Sequence, residues 1–349
     1  MLAVISWWLI AQVLGLVALP LTWRLFARFD GRGYPFAKAL GLLLVAYFLW
    51  LGAIYHILPN DLGGILFALV LVAAVSWWLG REGWQRDGAG GRPLVAWLRA
   101  NRALVIATEA VFAVVLVGWS VFRAYNPDIA GTEKPMEFAF INGVLGSRFF
   151  PPQDPWLSGY AISYYYFGYV MLGLLIRLSG VDPAVGFNMG VALWYALVMV
   201  GAFGVVQMLV EKARASFADS RASIRWGLLG ALCVGFLGNL EGLLDTAYHR
   251  GLLPLSFIQW FDIKNLTESA PTGGWTGGFW WWWRASRVIH DKDLVGNSVE
   301  VIDEFPAFSF ILGDLHPHVL ALPFVLLAVG LAVNLLYWKP EAGWAQLRC

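Results

Sequence analysis

Charge is what this sequence has least of. Asp, Glu, Lys and Arg together make up 13% of the 349 residues, where an average soluble domain has about a quarter. That shortage excludes an ordinary solvated globule. Neither sign dominates, and a net charge of +1 excludes a broadly basic surface and with it a nucleic-acid partner. Cysteine is nearly missing: Cys233 and Cys349 are too few for a disulfide framework or a thiolate zinc site, and Cys233, inside an apolar run, reads as a small core residue. No internal repeat is visible. The first apolar run lacks a small-residue cleavage site and is long enough to stay in a membrane, so it reads as a span and not as a removable signal.

What fills the chain instead is apolar surface. Hydrophobic residues reach 59% and tryptophans number 20, and the mean hydropathy is +0.64. A span needs roughly 20 mostly apolar residues, and the stretches 2–26, 36–58, 62–80, 103–124, 163–179, 184–210, 226–247 and 318–338 qualify. Each must be helical, because a lone strand leaves its backbone unsatisfied in lipid. The fold class is therefore an all-α polytopic membrane protein of about eight transmembrane helices, with two long loops, 125–162 and 248–317, carrying interfacial helices. Residues 1–124 form an N-terminal four-helix region. Residues 125–349 form a second module made of an acidic loop (125–162), spans (163–247), an aromatic and arginine-bearing loop (248–317) and a last span (318–338).

Lys and Arg set direction. Arg28 and Arg32, and then Arg81, Arg86, Arg92, Arg99 and Arg102, place loops 27–35 and 81–102 in the cytoplasm and the acidic loop outside. If 163–179 and 184–210 each cross once, 211–225 falls outside, yet its Lys212, Arg214, Arg221 and Arg225 argue for inside. The arrangement with both long loops extracytoplasmic puts fewer basic residues on the wrong side.

The polar residues cluster at loop–helix junctions. Past residue 124 come Asp128, Glu133, Glu137 and, between prolines in "FFPPQDPW", Asp154. The prolines stiffen the backbone around that carboxylate. Tyr164, Tyr165 and Tyr166 open the next span, either as an interfacial aromatic belt or as part of a site. Within 226–247, Glu241 and Asp245 are four apart and share a helix face. An acid in a span is a functional candidate by default, although both lie toward one end and can reach water. Trp280 to Trp283 precede Arg284 and Arg287, a pattern for a surface helix with its rings in the headgroup zone and its guanidinium groups toward phosphate; the plain alternative is lipid anchoring.

The stretch "GDLHPHVLALPF", Gly313 to Phe324, opens the last span. Pro317 suits a first helical turn and Asp314 is placed to cap it. Neither accounts for His316 and His318. Asp-x-His-x-His can supply metal ligands, with Asp314 among them. On a regular helix, however, the two histidines point about 200° apart, so phosphate or sugar binding, or proton transfer, competes with a metal site.

Together, "NPDIAGTEKPMEFAFIN", "FPPQDPWLSGYAISYYYFGY", "WWWRASRVI" and "EFPAFSFILGDLHPHVLALPF" resemble the YYY family, polytopic membrane proteins named for a tyrosine triplet, over roughly 120–324. That family is in turn similar to the membrane-embedded glycosyltransferases of the GT-C class. The resemblance implies a longer protein, of which this chain is an N-terminal portion or a truncated form. It also implies a plasma-membrane enzyme, active on the extracytoplasmic side, that moves a hexosyl group from a polyprenyl-phosphate-linked sugar to an acceptor the sequence does not name. In that class the first outer loop carries an acidic catalytic motif, and the matching place here holds Asp128, Glu133 and Glu137, with Asp154 further on. The adjacent Asp-Glu pair of the mannosyltransferases is missing, which leaves the identity of the base open among them.

The chemistry of such a transfer assigns candidates. A carboxylate, Glu133 or Asp154, deprotonates the acceptor or orients a divalent cation (Mg or Mn). Arg284, Arg287, His316 and His318 are candidates for the leaving phosphate. Tyr165 and Tyr166 are candidates for stacking on sugar or prenyl chain, and membrane lipids complete the partners. A transporter or flippase, using Glu241, and a non-catalytic subunit of a membrane assembly are the competing readings. A transporter places its polar groups near the midplane, often in repeated halves.

Overall fold

A computed structural model describes residues 1–85, 93–213, 220–263, 266 and 281–337. Arg86, Arg92, Arg214, Trp280 and Cys349 lie outside the described residues. The helices in chain order are α1 (Leu2–Leu25), α2 (Ala37–Ile54, entered through a 3-10 turn at Tyr34–Phe36), α3 (Leu62–Gln85), α4 (Pro93–Ala100), α5 (Arg102–Tyr125), α6 (Lys134–Gly146), α7 (Phe167–Ser179), α8 (Pro183–Ala213), α9 (Ser220–Phe236), α10 (Glu241–His249), α11 (Leu255–Phe261), α12 (Trp281–Arg284), α13 (Pro306–Leu312) and α14 (Pro317–Leu336). A two-stranded antiparallel hairpin, β1 (His290–Lys292) and β2 (Ser298–Glu300), lies between α12 and α13 and pairs Asp291 with Val299. The chain divides into two compact units, Met1–Ala231 with Gly313–Cys349, and Leu232–Leu312.

Among the described residues, six helices are long and apolar enough to cross a membrane: α1, α2 with its 3-10 entry, α3, α5, α8 and α14. Two of the eight apolar stretches take another form. The 163–179 stretch becomes α7, whose 13 residues span only about 20 Å, short of the ~30 Å hydrocarbon thickness. The 226–247 stretch is interrupted between α9 and α10, a pair that makes a seventh span if counted as one. Gly238 and Asn239 sit in the interruption. Asn239 Oδ1 accepts the Glu241 amide at 3.1 Å, the local side-chain bond by which asparagine competes with a helix.

In the first unit α8 is the central helix, with 89% of its apolar window buried against 22% for α5 and 28% for α3. A helix apolar on every side belongs in the middle. Here α5 and α14 flank it while α1 packs on α2 and α3. A Cβ on Gly41 would lie 2.0 Å from the Leu14 carbonyl oxygen, so only glycine lets α2 approach α1 this closely. Exposed Val13, Leu16, Phe67, Val70, Ile106 and Val114 cover the outer faces of α1, α3 and α5, as lipid-facing surfaces require.

One ion pair is built into these helices. Lys38 of α2 meets Glu109 of α5 at 2.5 Å, and Glu109 also accepts from Gln12 Nε2 at 2.7 Å and from the Tyr34 hydroxyl at 2.8 Å. Lys38 lies over the Phe112 ring at 4.9 Å. Burying two charges is tolerable only when both are paired and hydrogen-bonded, and this pair satisfies that by joining three helices.

Candidate active site

The acidic loop folds around α6, and the C-terminal end of α6 is fixed from two sides. Its last carbonyls have no intrahelical partners. Asn60 Nδ2 donates to Val144 O at 2.7 Å and to Ser147 O at 3.0 Å, while Arg177 Nη2 donates to Leu145 O at 2.5 Å. Asn60 is buried between α2 and α3, and Arg177 belongs to α7. With one end held, the other presents Glu133, Lys134 and Glu137.

Those residues meet the segment leading into α14. His316 Nε2 lies 2.7 Å from Glu133 Oε2. The Leu315 amide donates to Glu137 Oε2 at 2.7 Å, and Thr132 Oγ1 donates to Asp314 Oδ1 at 2.9 Å. His316 is itself the N-cap of α14, with φ −53° and ψ 149° and no side-chain capping bond. The role expected of Asp314 therefore falls elsewhere: its carboxylate pairs with Thr132 across the loop. A residue before proline is driven to extended backbone, and that is why the two histidines do not diverge. His316 leaves the extended turn, His318 leaves the helix, and their rings stand 5.4 Å apart.

Arg123 completes the cluster. Its Nε donates to Asn188 Oδ1 at 3.0 Å, and Asn188 Nδ2 donates in turn to Pro127 O at 3.0 Å. The guanidinium lies across Gly313, where a Cβ would sit 2.6 Å from Nη1 and the backbone has φ +76°. Both the space and the left-handed conformation call for glycine.

Buried polar atoms without partners converge on this cluster. Glu137 Oε1, Arg123 Nη2 and the Tyr169 hydroxyl have no hydrogen bond within the described residues, and all three side chains are buried. Burial pushes the Glu137 carboxyl up to about 8, and Asp314 and Glu133 add to the rise against the lowering effects of the Leu315 amide and Lys134. At neutral pH this acid holds its proton, so Oε1 has an O–H to donate. Burial lowers Lys134, with the Asp314 carboxylate opposing that shift.

An apolar groove of about 680 Å³ adjoins the polar cluster. Its walls are Leu43 and Trp50 of α2, Tyr164 to Tyr166, Phe167, Gly168 and Met171 of α7, and Pro317, Leu320, Ala321, Phe324, Val325 and Ala328 of α14. Pro317 follows His316 directly. Tyr164 lines the groove and lies within electrostatic reach of Glu133 and Glu137. Tyr165 is exposed, and the Tyr166 hydroxyl accepts from Trp50 Nε1 at 3.2 Å.

Other candidate residues have different partners. The Asp154 carboxylate turns back on its own loop, where Oδ1 accepts the amides of Trp156 at 2.8 Å and Leu157 at 2.9 Å; the prolines aim it into a local turn. Asp128 is exposed and acts on Arg123 and Lys134 only through its field. Glu241, Arg284 and Arg287 belong to the second unit. There Arg284 Nη2 meets Asp245 Oδ1 at 3.1 Å and His249 Nε2 lies 3.4 Å from the same oxygen. Glu241 Oε2 is buried without a partner among the described residues. The two arginines do not share a helix face, because α12 ends at Arg284. Arg287 stacks on Trp283 at 3.9 Å and pairs with Glu300 at 3.2 Å.

Among the described residues no three His, Cys, Asp or Glu side chains group as metal ligands. Asp314 is tied to Thr132 and Glu133 to His316. This donor set does not fit the expected Mg or Mn, and no step below passes through a metal.

Nothing in the local sequence pattern marks Arg123, Lys134 or Thr132 as site residues. Arg123 is the last basic residue of a predicted span, where lysine and arginine ordinarily reach for the interface. Its burial depends on Gly313, 190 positions later, which no local pattern connects to it.

The helices and this cluster define a multi-pass integral membrane protein with a cluster of polar side chains beside an apolar groove. The chain belongs to the family described as Uncharacterized membrane protein (DUF2298), whose profile matches residues 44–348 and so includes every residue of the cluster. That match carries neither the tyrosine-triplet family name nor a glycosyltransferase class. No curated protein and no solved structure matches the chain.

Proposed function

We propose that this protein is a membrane-embedded glycosyltransferase that takes a hexosyl group from a polyprenyl-phosphate donor, at a site on the extracytoplasmic side of the plasma membrane. The observation that carries the reading is the Glu133–His316 pair, at 2.7 Å, next to an apolar groove that begins at Pro317. Proton-transfer groups beside a lipid-sized groove suit an amphiphile whose reactive bond lies at its head.

The imidazole donates from Nε2 to Glu133, which leaves the lone pair on Nδ1. His316 then takes the proton of the acceptor hydroxyl, and Glu133 stabilises the imidazolium that forms. The acceptor oxygen bonds to the anomeric carbon as the bond from that carbon to the phosphate oxygen breaks, and the electron pair leaves on prenyl phosphate. The Glu137 hydroxyl and the Tyr169 hydroxyl are the buried donors available to sugar or phosphate oxygens.

The test is release of prenyl phosphate from polyprenyl-phosphate hexoses by the purified chain in nanodiscs, with water standing in for the acceptor. Glu133→Gln and His316→Gln should each slow release by roughly 10²–10⁴-fold. Release unaffected by both changes refutes the assignment. A transporter remains the second reading, favoured by the Lys38–Glu109 pair inside the helix bundle, and flux of a polar solute into proteoliposomes without donor cleavage would support it.

A further inference from the structure

Two buried cations have no role in the chemistry above. Arg123 lies at the end of α5 with 2% exposure and Lys134 opens α6 with 7%. Each is within electrostatic reach of the other and of Asp314 and Asp128. Arg123 spends Nε on Asn188 and crosses Gly313 with Nη1, which leaves Nη2 with no partner among the described residues. Lys134 makes no hydrogen bond or ion pair among the described residues. The α6 N-terminus has no side-chain cap; Pro135 has no N–H and the Glu137 amide donates to Glu133 O at 3.0 Å, so the amides of Lys134 and Met136 are the first-turn donors without an intrahelical acceptor. A buried guanidinium N–H without an acceptor among the described residues calls for an explanation. That orphaned donor, with the Lys134 ammonium at the same helix start, forms surroundings that bind anions.

We propose that Arg123 and Lys134, with the start of α6, form an anion subsite that takes the phosphate of a prenyl phosphate. The inference rests on the lipid-donor reading for the identity of the ligand, since the groove at Pro317 and Tyr164 supplies the place for the tail. It moves the phosphate-binding role from Arg284 and Arg287, whose partners are Asp245 and Glu300, to residues of the polar cluster itself. Asp314, tied to Thr132, and Asp128 moderate the positive field, which suits reversible binding of a phosphate group.

The experiment measures binding of farnesyl phosphate, farnesol and inorganic phosphate to the full chain in nanodiscs, through quenching of its tryptophan fluorescence. The subsite predicts that farnesyl phosphate binds more tightly than farnesol. It also predicts that Arg123→Gln and Lys134→Gln each weaken farnesyl phosphate by about tenfold or more while farnesol is unchanged, and that Arg123→Lys restores part of the loss. Unchanged farnesol binding shows that the variants are folded. Equal affinities for farnesyl phosphate and farnesol, or variants that leave the difference intact, overturn the subsite. Inorganic phosphate binding as tightly, with the same dependence on Arg123 and Lys134, supports the anion subsite and assigns it to free phosphate. Variant-sensitive binding of farnesyl phosphate together with failure to cleave any prenyl-phosphate hexose keeps the subsite and overturns the transferase reading alone.

Discussion

Replacing Glu137 by glutamine should remove a pH dependence of stability that the wild-type chain carries. In the folded protein this carboxyl titrates near 8, against 4.5 for the free group, because it is buried beside Asp314 and Glu133. A raised acid binds its proton more tightly folded than unfolded. Its contribution is therefore fully present below about pH 4.5 and is lost as the pH climbs through about 8. At about 1.4 kcal/mol per unit, the loss across that window is on the order of 5 kcal/mol. Glutamine presents an oxygen to the Leu315 amide, as Glu137 Oε2 does at 2.7 Å, and cannot ionise. The assay is thermal unfolding of the detergent-solubilised chain in steps from about pH 5 to about pH 9. Wild type should lose stability steadily with rising pH, and Glu137→Gln should show a flatter profile and be the more stable of the two at the alkaline end. Parallel profiles would refute the burial argument, and with it the claim that Glu137 is a neutral acid in the folded protein.

Three further outcomes follow from other contacts. Gly313→Ala forces a positive φ on a residue with a Cβ, costing roughly 1–2 kcal/mol, and drives that Cβ into Arg123. Unfolding measurements should show the loss, and unchanged stability would place the guanidinium elsewhere. Lys38→Met leaves the half-buried Glu109 without its cation and should destabilise by about 1–3 kcal/mol, with Lys38→Met/Glu109→Leu recovering most of it; a double variant no better than the single one contradicts the pairing. Ala321→Trp fills the groove and should raise KM for a long-chain donor by about tenfold, equivalent to about 1.4 kcal/mol, with kcat little changed. An unaltered KM would move the tail out of the groove.

Much of the fold was readable because membranes demand continuous apolar helices. The stretches at 2–26, 62–80, 103–124 and 184–210 agree with α1, α3, α5 and α8 to within a few residues. Where they depart, a local signal was present and outvoted by hydropathy. Gly238 and Asn239 interrupt 226–247, and α7 begins only after the tyrosine triplet ends. The site was partly legible. Glu133, Glu137, Asp314 and His316 were candidates by type and place, and Pro317 explains how His316 turns toward Glu133. Asp154 looked equivalent to them in sequence, but its partners are the amides two and three residues on, and only backbone geometry reveals that. Arg123 was hidden because its burial comes from residues distant in the chain, Gly313 and Asn188, and not from its neighbours.

The most direct measurement is an electron cryomicroscopy map of the full chain in nanodiscs with a non-cleavable polyprenyl-phosphonate hexose. The account predicts the prenyl tail along α14 between Pro317 and Ala328, the phosphonate beside Arg123 and Lys134, and the sugar against His316 and Glu133. A lipid seated elsewhere, or a sugar away from His316 and Glu133, would contradict it.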